Sequence, residues 1–331
     1  AAAAATQRPL SLRPRGLLTV VVRNARAMAV EEWLDGDLLA RPDSRPALLY
    51  SWWSSSTAIG VVRAARRAGL PVIARAHGYD LFADQEVVGF VPFQSEIVRD
   101  ANRVASVSRA GADYLVRLYP HSSDHVAVSY LGVPSQSRAS PHPSGTSTRF
   151  VSCSTVVPVK RVGLMVDAIV LLLRDGVDVH WTHLGGGPGL SALREQVEAR
   201  PELAGRVDLT GQLPPEGVAA WYRDNSVDAI VNVSASEGLP VSLMEAASFG
   251  IPMIATAVGG TPEIVDDTCG RLLPADPSVA EVARVLGDFA RLPAGERDQI
   301  RDASRERWAS RFSADTNYAE FGDLLASLVV R

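Results

Sequence analysis

The feature that most constrains this chain is a grammar of short apolar strands alternating with helical stretches, stated twice and interrupted once by a run without periodicity. LLTVVVRN (17–24), ALLYSWW (47–53), PVIARAH (71–77), RVASVS (103–108) and VAVSYLG (126–132) are β-branched, apolar runs that read as buried strands. Between them, TAIGVVRAARRAG (57–69) and RAGADYLVRLY (109–119) place apolar residues three and four apart and stop at Gly69 or before Pro120, the usual helix-ending signals. Strand following helix following strand implies a parallel sheet covered on both faces.

The run PSQSRASPHPSGTSTR (134–149) combines three prolines, a glycine and many serines with no hydrophobic period, and reads as a linker. Beyond it the grammar restarts with FVSCSTVV (150–157), VDVHWTHL (177–184), RVDLTG (206–211), VDAIVNVS (227–234), IPMIATAV (251–258) and GRLLP (270–274). The expected architecture is α/β with two Rossmann-like, doubly wound domains, residues 1–133 and 150–312, each large enough to bury its own core. The last segment, RERWASRFSADTNYAEFGDLLASLVV (305–330), has helical spacing broken near Phe312 and Ser313. Its final part, 313–331, either packs back onto the first domain or closes the second.

Composition removes other classes. With 47% hydrophobic and 21% charged residues the chain is an ordinary globular protein. A formal net charge of −4 offers no positive field for nucleic acid. Cys153 and Cys269 are far apart and form no C-x-x-C pair, so neither a disulfide framework nor a thiolate zinc site is indicated. No apolar run approaches the roughly 20 residues that span a bilayer, and a cytoplasmic protein is expected. Arg8, Arg13, Arg15, Arg23 and Arg26 precede any acid, and Arg63, Arg66 and Arg67 share a helical face. These arginines read either as a frayed start and a solvated face, or as a peripheral contact with anionic lipid at the inner face of the membrane.

The chemistry concentrates in VNVSASEGLPVSLMEAASFGIPMIATAVGGTPEIV (231–265), where a buried strand turns through Glu237-Gly238-Leu239 into a helix starting at Pro240. Proline suits the first helical position because its missing N–H has no partner there anyway. The N–H groups of Val241 and Ser242 then point out of the helix start, an anion site suited to a diphosphate. Glu245, one turn further in, can accept two hydrogen bonds from the vicinal hydroxyls of a ribose. Glu237 would face a sugar. Taken without context, the two acids read equally as a helix cap and a solvated side chain.

The run E-G-L-P-V-S-L-M-E, with seven residues between its acids, followed by G-I-P-M-I-A-T-A-V-G-G-T-P-E-I-V, resembles the signature of the family-four retaining glycosyltransferases. The resemblance implies that Glu237 contacts hydroxyls of the transferred sugar, that Glu245 holds the ribose, and that Gly238, Leu239, Pro240, Val241 and Ser242 line the diphosphate. SCSTVVPVKRVGLMVDAI (152–169) is similar to the family's basic loop, which implies Lys160 as the cation on the leaving diphosphate and Arg161 as its neighbour; Thr155 stands where many members carry an arginine. IARAHGYDLF (73–82) resembles the H-G-x-D loop, implying that His77 reaches the donor sugar and that Asp80 shapes the acceptor side, while Ser108 and Arg109 line the cleft. HLGGGPGLSALREQ (183–196) corresponds to a loop near the nucleotide, with Gly186 and Gly187, and GQLPPEGVAAWY (211–222) to the loop that reads the base, with Gln212 and Leu213.

The resemblance runs from about Tyr50 to Phe321. It places a strand and a glycine-rich loop ahead of Tyr50, where no glycine pair occurs, so either the first domain is truncated or its first strand has diverged. His180 and His183, three apart on a strand, point to opposite faces and cannot share a metal. The resemblance implies the GT-B arrangement, two domains facing across a cleft, and a UDP- or GDP-sugar as co-substrate. It further implies a glycan or glycolipid acceptor, retention of configuration by front-face attack, and no metal or other cofactor. The rival readings are a sugar-nucleotide epimerase of similar fold and a non-catalytic nucleotide-sugar-binding module.

Overall fold

The structure is a computed structural model that describes residues 14–41, 43, 45–136, 139–143 and 145–329; Arg8, Arg13 and the five-alanine start lie outside them. The chain divides into two compact units, Ala1–Leu131 with Thr316–Arg331, and Gly132–Asp315.

The first unit holds a parallel sheet of β1 (Leu49–Ser51), β2 (Val72–Ala76), β3 (Arg103–Ser106) and β4 (Val126–Val128), in that spatial order. Successive side chains leave opposite faces. Leu49, Val72, Ala74, Ala76 and Val104 pack under the helices Pro14–Trp33 and Ser56–Ala68. Ile73 and Ala105 meet Phe321 of the terminal helix Ala314–Val329 on the other face. The end of the chain therefore belongs to the first unit. Asn317 ties it down by donating from Nδ2 to the Leu131 carbonyl at 2.8 Å.

One strand expected from the sequence is absent. Residues 17–24 lie within the helix Pro14–Trp33, whose inner face is made by Val20, Arg23, Asn24, Ala27, Val30 and Glu31, and is continued by Leu34 of the following turn, recurring three or four apart. Ala27 presses on Gly60 so closely that a Cβ there would lie 2.5 Å from its carbonyl oxygen. Leu17, Leu18, Val21 and Val22 fall on the outer side, 43–63% exposed. Local β propensity thus yields to a helical contact pattern running on to Leu34.

Nor is the arginine face a free cationic surface. Arg63 bonds Glu96 at 2.7 Å, Arg66 bonds Asp100 at 3.1 Å, and Arg67 bonds Glu31 and Asp35 at 2.7 Å each. These pairs join the helix to its neighbours. No helix among the described residues is long and apolar enough to cross a membrane.

ALLYSWW is a strand only over Leu49–Ser51. Ser51 Oγ donates to the Trp53 carbonyl at 2.8 Å and the Ser54 N–H donates to Asp80 Oδ2 at 2.7 Å. Such side-chain bonds compete with the ladder and turn the backbone out of the sheet, leaving Trp52 43% and Trp53 38% exposed.

The second unit holds β5 (Thr148–Cys153), β6 (Val179–Leu184), β7 (Val207–Gly211), β8 (Ala229–Asn232), β9 (Met253–Thr256) and β10 (Gly270–Leu273), all parallel, in the order β10-β9-β8-β5-β6-β7. All six fall inside the expected runs except that β5 begins two residues earlier, within the proposed linker. The linker is pinned at Ser140, which donates to the Phe249 and Asn225 carbonyls and accepts from buried Arg301. The strand order reverses between β5 and β8. In a doubly wound sheet the carboxyl ends on either side of that reversal are where ligands bind.

Between β5 and β6, Ser152 Oγ lies 2.7 Å from His183 Nδ1 and accepts from Trp181 Nε1 at 2.9 Å. His183 is fully buried, and burial pushes its pKa down to about 4 from 6.5. The unfolded chain therefore binds a proton that the folded chain refuses. Stability from this residue is present above pH 6.5 and drains away toward pH 4. Between pH 7 and pH 5 the unfolding free energy of the wild type should fall by about 2 kcal/mol more than that of His183→Gln in urea titrations; parallel curves for the two proteins would refute this.

Candidate functional site

The end of β5 and the end of β8 supply the first site residues. After Cys153 the chain runs through a loop to the short turn Pro158–Lys160, and after Asn232 it runs to Glu237. Lys160 Nζ donates to Glu237 Oε1 at 2.6 Å, and Asn232 Nδ2 donates to the same oxygen at 3.1 Å. Asn232 Oδ1 accepts from the Ser234 N–H at 2.9 Å, which fixes the amide's orientation. Glu237 is buried and Lys160 is partly open, so the pair places a cation at the mouth and its counter-charge behind it.

The Glu237 loop is held by a backbone contact that only glycine permits. Gly259 has φ +51, and a Cβ built there would sit 1.7 Å from the Glu237 carbonyl oxygen. Beside it the Gly260 N–H donates to the Gly238 carbonyl at 3.0 Å. The glycine pair that trails the acidic motif thus packs directly behind it.

The helix that follows spans Val241–Ser248, with Pro240 as its cap at φ −71 and ψ 103. Proline is therefore one position earlier than expected, and Val241 is the first helical residue. The Leu243 and Met244 N–H groups donate to the Pro240 carbonyl, whereas among the described residues those of Val241 and Ser242 have no protein acceptor. Two free amides and the positive end of the helix dipole coincide there.

Glu245 lies one turn along. Together with Tyr222, Phe249, Val218 and Pro134 it lines a cavity of about 220 Å³. Burial raises its carboxyl above the ordinary glutamate value, since the charged form loses water without gaining a cation. A neighbouring cavity of about 150 Å³, sharing Val218, is lined by Cys153, Thr155, Gly185, Gln212 and Leu213. A larger one, about 580 Å³, lies along the starts and middles of β5, β6 and β7. Its Arg206 and His180 already pair with Asp178 and Asp208.

The remaining expected residues divide sharply. Arg161, at φ +49, does not stand beside Lys160 as a free cation: its guanidinium donates to the Val233, Ser234 and Ala275 carbonyls and to Asp276. It clamps the site loops instead. Gly186 and Gly187 back onto the loop after β5, where the Val156 N–H donates to the Gly186 carbonyl at 2.7 Å. A Cβ on Gly187 would meet Thr155 at 2.7 Å. Their neighbour Gly185, rather than either of them, lines the cavity with Gln212.

In the first unit His77 follows β2, and Asp80, fully buried, accepts from the His77, Gly78 and Ser54 N–H groups. Ser108 is the cap of the helix Arg109–Leu118, its Oγ accepting from the Gly111 N–H at 3.1 Å. Arg109 is exposed at that helix start. Sequence reasoning passed over Asn232, Tyr222 and Gly185. The available signal for Asn232 was a polar residue closing an otherwise apolar strand.

Residues 147–289 match the family described as glycosyl transferases group 1. The putative colanic acid biosynthesis glycosyltransferase WcaL of Escherichia coli K12 is 28% identical over 260 residues, covering 76% of this chain and 63% of its own length. A D-inositol 3-phosphate glycosyltransferase of Streptomyces scabiei is 31% identical over 258 residues, 70% of this chain and 57% of its own. The chain thus spans less than two thirds of these curated relatives. Among solved structures, the lipopolysaccharide outer core galactosyltransferase WaaB superposes with a TM-score of 0.72 at 17% identity, over 94% of this chain and 81% of that one. Anabaena HepE with UDP and glucose gives 0.69 at 18% identity, over 86% and 78%. The fold is that of the GT-B glycosyltransferases, and the second unit carries a glycosyl transferases group 1 domain.

Proposed function

We propose that this chain is a retaining, metal-independent glycosyltransferase that moves a hexose from a UDP- or GDP-sugar to a glycan or glycolipid acceptor in polysaccharide biosynthesis. One observation carries the reading: the free Val241 and Ser242 amides open beside the Lys160–Glu237 pair, at the reversal of strand order. That juxtaposition suits a pyrophosphate whose sugar lies toward Glu237 and whose ribose lies toward Glu245. Relatives named for colanic acid and amylovoran biosynthesis, and neighbours solved with UDP and UDP-glucose, support the direction of the assignment.

In the proposed reaction the bond between the sugar's anomeric carbon and the β-phosphate oxygen breaks, and the acceptor hydroxyl bonds to that carbon from the same face. Its proton passes to the departing diphosphate oxygen. Charge that develops on the diphosphate is met by Lys160 and the two helix amides, fixed donors that need no reorganisation. Glu237, already bonded to Lys160 and Asn232, orients sugar hydroxyls. His77 contacts the transferred sugar, and Asp80 sets its loop. Among the possible peripheral sites, the outward apolar side of the helix Pro14–Trp33 fits contact with a membrane surface better than the paired arginines do.

Purified protein should bind UDP or GDP by calorimetry, and Glu245→Ala should weaken that binding by about tenfold or more, the cost of two charge-assisted hydrogen bonds. Lys160→Ala should lower kcat by about a hundredfold in donor turnover, as loss of one fixed stabiliser of developing charge does. An epimerised sugar nucleotide in place of a glycoside would replace transfer with epimerisation. Nucleotide binding with no turnover of any sugar nucleotide would leave only a binding module.

A further inference from the structure

The first unit presents an aromatic group that the donor site leaves unused. Trp52, Trp53 and Tyr79 are 43%, 38% and 45% exposed, yet they are packed together. The Trp53 ring centroid lies 5.0 Å from that of Tyr79 and 4.1 Å from that of His77, and Trp52 lies 5.2 Å from His77. A contiguous exposed apolar patch with a polar rim marks a binding surface.

The group is rigidly built. Asp80 accepts from backbone N–H groups of both loops, Ser54 on one and His77 and Gly78 on the other. Beneath Trp52, the buried Arg75 guanidinium lies 5.5 Å from the indole and 4.1 Å from the Phe321 ring, and donates to Ser129 Oγ at 2.6 Å. Tyr50 meets Trp52 edge to face at 6.3 Å. Rings fixed in this way lose little freedom when something stacks on them. Both loops leave the carboxyl ends of adjacent parallel strands, β1 and β2, the edge at which such sheets bind ligands.

The polar groups identify the occupant. Both ring nitrogens of His77 are buried and make no hydrogen bond among the described residues, Nδ1 lying 3.8 Å from Asp80 Oδ2. A buried polar atom left in this state is an unmet demand. A lipid acyl chain would cover the indoles and leave the imidazole unsatisfied. A pyranose has one face of C–H groups to lie on flat rings and an edge of hydroxyls to donate and accept.

We propose that Trp52, Trp53 and Tyr79 form the acceptor platform, on which a pyranose ring of the glycan acceptor stacks with a hydroxyl edge toward His77. This rests on the glycosyl transfer proposed above, which gives His77 to the transferred sugar. Specificity for the acceptor resides in the two tryptophans, and the donor's in the second unit.

Saturation-transfer NMR on the whole chain, without nucleotide, tests this with methyl α-glucopyranoside, methyl α-galactopyranoside and methyl α-mannopyranoside. At least one should receive saturation at its ring C–H protons and quench tryptophan fluorescence. Trp53→Ala should weaken that pyranoside by about tenfold, as loss of a central aromatic anchor does, and Trp53→Phe should retain most of the affinity. Equal affinity in Trp53→Ala, no pyranoside binding at all, or tryptophan quenching by phosphatidylglycerol vesicles alone would overturn the platform. UDP and GDP titrated into the wild type judge the underlying transferase reading separately, because the pyranoside result needs no nucleotide.

Discussion

The site rests on an ion pair that is also a storage device. In the proposed function Lys160 meets a diphosphate, and a lysine with nothing opposite it would leave a half-buried charge uncompensated. Glu237 removes that cost: it meets Lys160 at 2.6 Å while Asn232 fixes the shared oxygen from behind. The carboxylate is the more buried member and the lysine the more open one, the order that the proposed contact with a diphosphate requires. The helix amides of Val241 and Ser242 add donors that carry only partial charge. They need no counter-ion when the site is empty.

Holding this arrangement requires backbone closeness more than side-chain chemistry. The Glu237 loop has no regular structure of its own between β8 and the helix Val241–Ser248. It is trapped between the Gly259 backbone on one side and the Arg161 guanidinium, which gathers the Val233 and Ser234 carbonyls, on the other. Gly259 and Arg161 both take positive φ, a conformation costly for arginine and free for glycine. Arginine in that position is tolerated because its four bonds are made in the folded chain alone, and they close the loop against the β10 side at Ala275 and Asp276. A residue that reads as a phosphate ligand is spent on geometry.

How much of this was legible follows from which forces acted locally. The six strands of the second unit could be read because most are buried apolar runs bounded by breakers, the composition that a parallel sheet covered on both faces demands, while the edge strand β7 keeps Asp208 and Thr210 exposed. The acidic motif was legible because its glycines and proline fix a loop and a helix start within a few residues. Leu17–Asn24 was misread for the same reason in reverse: a local run of valines looks like a strand, while the helical contact pattern only appears when Ala27, Val30 and Leu34 are included. Trp52 and Trp53 were read as the end of a strand, since nothing in ALLYSWW announces that Asp80, 26 residues away from Ser54, will pull the chain out of the sheet. The partners of Arg161 lie 72 to 115 residues distant, and no spacing rule reaches that far.

These misreadings share a direction. Sequence pattern reports what must be buried, and it fails where a residue of burying type is kept in the open or a residue of binding type is drawn inside. Tryptophans left 43% and 38% exposed while resting on a fully buried arginine and a bonded aspartate are not surplus apolar surface. Ordering Arg75 under them, with no carboxylate among its described partners, costs desolvation, which lowers its pKa; the ring faces of Trp52 and Phe321, the bond to Ser129 Oγ and the nearby Tyr50 offset only part of that cost. A fold gains nothing in stability from such a foundation that a leucine would not supply more cheaply. The arrangement makes sense if the orientation of the indoles is itself what the foundation secures, as the proposed acceptor platform requires.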